Sequence, residues 1–293
     1  MPAYPVALLC PVCRSPFAAG SGLRSLVCPA GHSFDAAKQG YFNFLTGKGT
    51  VFEADSADMV AARFDFLSAG HYRGLADAVA DLAAPFLAGS GSAVLDAGTG
   101  TGHYLRALLD RVPAAAAVGL DISKFALRRA ARLNPEAVNL VGDVWQPLPL
   151  ADAAVDVVTV VFAPRNAAEF ARVLRPGGRL IVVTPRPGHL AEVAGQTGML
   201  GIEPAKDERL TASLAGHFAA RGGRELDLAL SLSPSDVANL ALMGPAGHHL
   251  DRGALAARVA GLPPRTAVSA RFRISVFEPL PLPAAPPATD PQT

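Results

Sequence analysis

Val94-Leu95-Asp96-Ala97-Gly98-Thr99-Gly100-Thr101-Gly102-His103 is the stretch that decides the fold. A short apolar strand, Ala93–Ala97, runs into three alternating glycines, and helical spacing resumes at His103. Glycines in such a loop let the backbone turn tightly and approach a ligand closely. The spacing is G-x-G-x-G, not the G-x-G-x-x-G of dinucleotide-binding loops, which counts against a nicotinamide cofactor. Outward from the loop, short apolar strands alternate with helices. Strands are predicted at Ala117–Asp121, Val138–Val141, Val155–Phe162 and Leu180–Thr184, and helices at His103–Arg111, Ser123–Leu133 and Ala167–Leu174. Continuous apolar strands joined by helices imply a parallel sheet covered on both faces.

An acid, Asp96, precedes the first glycine by two residues, and this Asp-x-Gly-x-Gly-x-Gly arrangement resembles motif I of class I methyltransferases. The next strand ends in Asp121, where a carboxylate can accept both ribose hydroxyls of a nucleoside. The third ends at Gly142-Asp143-Val144, placing Asp143 to meet an adenine amino group. The alternative is that Asp121 and Asp143 cap the following helix or turn. Three acids at successive strand ends are more specific than the glycines alone. With the resemblance to motif I they imply S-adenosylmethionine (SAM) as cofactor, bound by Asp96, Gly98, Gly100, Gly102, Asp121 and Asp143.

Further along, Lys206–Arg221 and Ser235–Met243 read as helices, and Glu225–Leu232 and Thr266–Phe277 as an antiparallel terminal pair of strands. The fold expected is α/β: a class I, Rossmann-like methyltransferase with a mostly parallel seven-stranded sheet and an N-terminal zinc finger. Its parts are a finger at 1–40, a helical linker at 41–91 and a cofactor domain at 92–280. A proline-rich tail at 281–293 is expected to be disordered.

The finger rests on Cys10-Pro11-Val12-Cys13, with Cys28 after fourteen residues and His32 after three more. This C-x2-C-x14-C-x3-H spacing uses all three cysteines of the chain. Two short-spaced pairs close a tetrahedral zinc site without an open position for water, so the metal is structural. Gly20, Gly22 and Gly31 supply backbone freedom.

Composition allows one medium domain with a small appendage: 293 residues, half of them hydrophobic, with a net charge of only +1. That balance does not by itself argue for nucleic acid. The first fifty residues are nevertheless basic, with Arg14, Arg24, Lys38 and Lys48 against Asp35. No basic n-region precedes the apolar start and no long apolar run follows, so the chain reads as cytoplasmic, with no membrane partner.

After the fourth strand comes Phe162-Ala163-Pro164-Arg165-Asn166. Methylases of exocyclic amines carry an Asn- or Asp-Pro-Pro-aromatic motif here, and the departure favours a ring nitrogen or another acceptor. Arg165 and Asn166 are the candidate substrate contacts, although Asn166 also suits a helix cap before Ala167. No general base is identifiable. His103 and His189 are either cofactor contacts or solvated histidines.

Taken together, the sequence resembles the 23S ribosomal RNA guanine-N1 methyltransferase family. The resemblance rests on the finger with Gly31-His32-Ser33-Phe34-Asp35 and Gln39-Gly40-Tyr41-Phe42-Asn43, and on Asp58-Met59-Val60-Ala61-Ala62-Arg63 with Gly70-His71-Tyr72. Asp143-Val144-Trp145, Phe162–Asn166 and His189-Leu190-Ala191-Glu192 look closest to the branch associated with tylosin resistance. The resemblance covers roughly residues 6–280. It implies methylation of a guanine in a hairpin loop of domain II of 23S rRNA, cofactor contacts from Tyr72, Gly100, Thr101 and His189, and a homodimer. Two rivals are a small-molecule methyltransferase with a structural zinc knuckle and a catalytically silent RNA-binding protein.

Overall fold

The computed structural model describes residues 6–18, 24–47, 50–199 and 206–281. Gly20, Gly22, Lys48 and residues 282–293 of the tail lie outside the described residues.

The N-terminal ribbon contributes β1 (Ser25–Val27) and β2 (Ser33–Asp35), an antiparallel pair, and then β3 (Tyr41–Asn43). Two helices follow, α1 (Ala57–Ser68) and α2 (Arg73–Ala83). The alternating unit then runs β4 (Ala93–Ala97), α3 (His103–Arg111), β5 (Ala116–Asp121), α4 (Lys124–Leu133), β6 (Val138–Val141), β7 (Val155–Val161), α5 (Ala167–Val173) and β8 (Leu174–Pro185). The chain closes with α6 (Ala191–Thr197), α7 (Lys206–Leu214), β9 (Phe218–Leu232), α8 (Pro234–Leu242), α9 (Arg252–Val259) and β10 (Thr266–Pro279).

Eight strands form one sheet in the order β3-β6-β5-β4-β7-β8-β10-β9. Strands β3 to β8 are parallel, and β10 is antiparallel to both β8 and β9. Every residue of β4 and β6 is buried, as a sheet covered on both faces requires. Alternate residues serve opposite cores. Val94, Val157, Ile181 and Val183 face α2, α3, α8 and α9, whereas Leu95, Val158, Val160, Leu180 and Val182 face α5 and α7. The ribbon's Val6, Leu8, Leu26, Phe42 and Phe44 belong to that second core, so the finger is packed into the domain rather than tethered beside it.

The seven expected strands are all present, and Tyr41–Asn43, assigned by sequence to the helical linker, is an eighth. Three residues are too few for a period to show, and Tyr41, Phe42 and Asn43 are strand only because they pair with Asn139, Leu140 and Val141. The helix expected at Lys206–Arg221 ends at Leu214, and β9 begins at Phe218. Leu210, Leu214 and Phe218 share a helical stripe spacing and all are buried, which explains the overreach. Pairing of Phe218–Ala220 with Phe277–Pro279 wins over that local period.

Candidate functional site

The glycine loop leaves the tip of β4 and enters α3. Gly98 and Thr99 donate their backbone N–H groups to Leu120 O at 2.8 and 2.9 Å, locking the loop to the neighbouring strand. Gly98 has φ +80°, and a Cβ there would lie 2.2 Å from the Ala163 Cβ. At Gly102, with φ +84°, a Cβ would lie 2.5 Å from Asn134 Nδ2 and 2.9 Å from Ala130 Cα. Both conformation and space therefore demand glycine.

The three acids stand at consecutive tips, in different settings. Asp96 is buried, and its Oδ1 accepts from Thr159 Oγ1 at 2.7 Å. Burial pushes its carboxyl up to about 6. Neither Asp96 Oδ2 nor Thr99 Oγ1 has a hydrogen-bond partner among the described residues. The Thr99 hydroxyl is near enough to Asp96 to hold its carboxyl down somewhat, and a water or a ligand group can satisfy what these two atoms leave open. Asp121 Oδ2 accepts from Gly100 N and its Oδ1 from Ser123 N, both at 2.8 Å. Burial raises Asp121 as well, against the lowering effect of those N–H groups. Asp143 uses both oxygens: Oδ1 accepts from Trp145 N at 2.9 Å and Oδ2 from Thr50 Oγ1 at 2.8 Å. Each oxygen keeps a further lone pair, so Asp121 and Asp143 retain acceptor capacity. The turn-capping alternative is thus part of what both carboxylates do.

Residues from distant segments converge on Phe272, which is fully buried in β10. The rings of Tyr72, Phe162 and His189 lie 5.1, 5.7 and 4.9 Å from it. Phe162, just past β7, has φ +57°, a conformation costly for a bulky residue and concentrated at functional sites. Tyr72 is buried at the start of α2, and burial holds its hydroxyl well above the ordinary phenol range. Nδ1 of His189 lies 3.0 Å from Arg271 N, which donates to it. His103 bonds Thr101 Oγ1 and Ser68 Oγ, and burial holds it down at about 4.

Arg165 and Asn166 separate. Asn166 caps α5, its Oδ1 accepting from Glu169 N, and its Nδ2 donates to Val144 O at 3.0 Å. Arg165 is half-buried with no acceptor among the described residues, and burial lowers its pKa.

Sequence reading missed the residues that reach the site from other segments. Arg63 of α1 pairs with Asp55, donates to Met243 O at 2.7 Å and lies against Gly100. Thr159, Thr50 and Phe272 bear no motif, and only the fold brings them to the strand tips.

In the ribbon, the ligand atoms of Cys10, Cys13, Cys28 and His32 all lie within 4.8 Å of one another. Cys13 Sγ is 3.6 Å from Cys28 Sγ, and His32 Nδ1 is 3.3 and 3.7 Å from Cys28 and Cys10. These separations are far beyond a disulfide bond and match the edges, about 3.8 Å, of a zinc–thiolate tetrahedron. Hydrogen bonding from Ser15 holds the Cys13 thiol down at about 6. The four residues fit a structural zinc ion.

The ribbon docks on the loop after β6. Leu8 bridges to Leu150, and Arg14 donates to Leu148 O at 2.7 Å. A cavity of about 210 Å³ at this seam is lined by Arg14, Phe44, Thr46, Gly142, Asp143 and Gln146. Among the described residues no helix is long and apolar enough to cross a membrane.

Comparison with known proteins matches residues 94–178 to a family described as "Methyltransferase domain" and residues 8–47 to one described as "RlmA, N-terminal". The chain is 46% identical to a Micromonospora griseorubida protein provisionally assigned as a 23S rRNA (guanine-N(1)-)-methyltransferase, covering 93% of this chain and 97% of that one. It is 43% identical to the 23S rRNA (guanine(748)-N(1))-methyltransferase of Streptomyces fradiae, covering 94% and 97%. A Bacillus subtilis protein with the same provisional assignment is 37% identical, over 63% of this chain and 66% of its own length.

Proposed function

Because the chain belongs to the 23S rRNA (guanine-N1)-methyltransferase family, we propose that it methylates N1 of a guanine in a hairpin loop of domain II of 23S rRNA, acting in the cytoplasm and contributing to tylosin resistance. The observation that carries this reading is the docking of the ribbon on the loop after β6, where its Arg14 and Phe44 line one cavity with Asp143.

SAM, when bound, supplies an electrophilic methyl group on a sulfonium. Gly98, Gly100, Thr101 and Gly102 would hold it by backbone approach, with the unpartnered Asp96 Oδ2 and Thr99 Oγ1 facing it. Asp121 would accept the ribose hydroxyls and Asp143 the adenine amino group. Tyr72 and His189, gathered on Phe272, would close the pocket. Zinc, when bound, cross-links the ribbon through Cys10, Cys13, Cys28 and His32.

Guanine N1 carries a proton that must leave before or during attack. Arg165 supplies an unpaired guanidinium next to the pocket. Donation from it to guanine O6 would stabilise the deprotonated ring electrostatically. Asn166 acts by fixing that loop, not by touching the base. The assembly expected from the family resemblance is a homodimer.

Tritium transfer from labelled SAM tests the reading. Hairpin RNA containing the target loop should become labelled, and the digest should yield N1-methylguanine. Labelling of small acceptors in preference to RNA would favour a small-molecule methyltransferase and defeat it.

A further inference from the structure

The chain has one tryptophan, and the fold leaves it in water. Trp145 is 46% exposed, and its ring lies 6.2 Å from that of Phe52, itself 48% exposed, at an interplanar angle of 34°. Two large aromatic rings left in solvent side by side are costly unless something covers them. Both are held in place by the same carboxylate. Asp143 Oδ1 accepts from the backbone N of Trp145, and Oδ2 from the Thr50 hydroxyl. That hydroxyl in turn accepts from Phe52 N at 3.1 Å. The loop carrying Trp145 is braced further by Asn166, which donates to Val144 O, and by Glu169, which accepts from Leu148 N at 2.6 Å. The pair therefore stands on a rigid mount at the ribbon seam, and the Asn166 bond ties that mount to the Arg165 loop.

We propose that Trp145 and Phe52 form a stacking platform for an unpaired base flanking the target guanine. This deepens the reading of the protein as an rRNA methylase and rests on it. Loop RNA presents unstacked bases to aromatic side chains, and every base offers a π-face. A target guanine turned toward the cofactor leaves its neighbours without a stacking partner, and the Asn166–Val144 bond sets the platform next to the Arg165 loop. Asp143 then serves two purposes, since one carboxylate fixes the platform and faces the cofactor side.

Because Trp145 is the sole tryptophan, its fluorescence reports the platform directly. Titrating the zinc-loaded full chain with hairpin RNA should quench the emission strongly, whereas SAM alone, which meets Asp143 and not the rings, should change it far less. W145A should raise KM for the hairpin on the order of tenfold, with unchanged calorimetric affinity for SAM. W145F, which keeps an aromatic face, should recover most of that loss. Quenching by SAM but not by RNA would place the ring over the cofactor and overturn the platform. An unchanged KM in W145A would also overturn it, even while the wild type still makes N1-methylguanine. Absence of N1-methylguanine with the wild type would instead defeat the functional reading on which the proposal rests.

Discussion

The ribbon and the central sheet reach stability by different routes. In the ribbon, β1 and β2 have three residues each, and every residue of β2 retains some solvent exposure. In the sheet, β4 is buried at every position, and Val155–Val161 is nearly so. Burial on both faces is enough to hold a strand of that kind, at about 25 cal/mol for each Å² of apolar surface. A three-residue hairpin has too little surface for this and relies on a metal. The contrast shows where each region is vulnerable. It also shows that the seam between them, where Leu8 bridges to Leu150 and Arg14 donates to Leu148 O, couples a metal-held module to a core-held one.

The largest effect expected from this contrast follows loss of zinc. Cys13→Ser, or chelation, should unfold the ribbon, since structural zinc contributes about 10 kcal/mol or more to small metal domains. The sheet should keep a thermal transition of its own, visible by circular dichroism but at a lower temperature because Val6, Leu8 and Leu26 leave the second core, while RNA binding is lost. SAM affinity should fall only a few-fold, through loosening of Thr50. A single shared transition that disappears on chelation would deny the contrast.

Asp96→Ala comes next. It should reduce methyl transfer by about a hundredfold or more, by removing a buried acceptor at the cofactor site, and it should leave zinc content unchanged by metal analysis. Asp96→Asn sharpens the point, because the wild-type carboxyl is raised to about 6 by burial. A raised folded-state pKa gives stability that is present at low pH and lost as pH rises toward about 6. The Asn variant lacks that loss, so it should be more stable than wild type by about 3 kcal/mol at pH 7. The advantage should shrink markedly at pH 5, where the buried carboxyl is mostly protonated. Denaturant titrations at the two pH values measure it, and an advantage independent of pH would refute the assignment. The same variant should be inactive, trading function for stability.

The smallest effect belongs to Asn166→Ala. Loss of the α5 cap should cost about 1 kcal/mol, and release of Val144 O should raise KM for RNA more than it changes affinity for SAM.

Much of this was legible in the sequence, for physical reasons that also mark the limits. Ala93–Ala97 and Val138–Val141 are largely apolar runs each followed by a glycine, and the structure reproduces those bounds. Cys10, Cys13, Cys28 and His32 converge because metal-ligand spacing is a local property. Tyr41–Asn43 was not legible, since its strand character exists only through pairing with β6. Phe218 was misleading, because its helical spacing from Leu214 and Leu210 is equally consistent with burial from a strand. At the site, Asp96, Asp121 and Asp143 could be placed at strand ends from pattern alone. Thr159, Arg63 and Phe272 could not, because each meets the site only after a long stretch of chain has folded back.

Primer extension across domain II of 23S rRNA, in a strain lacking this chain and again after its return, tests the central claim most directly. A methyl on N1 blocks the pairing edge of guanine. Return of the wild type should therefore create a reverse-transcriptase stop at one loop guanine, and Asp96→Ala should not. Identical extension with and without the wild-type protein, when that protein binds both zinc and SAM, would contradict the account.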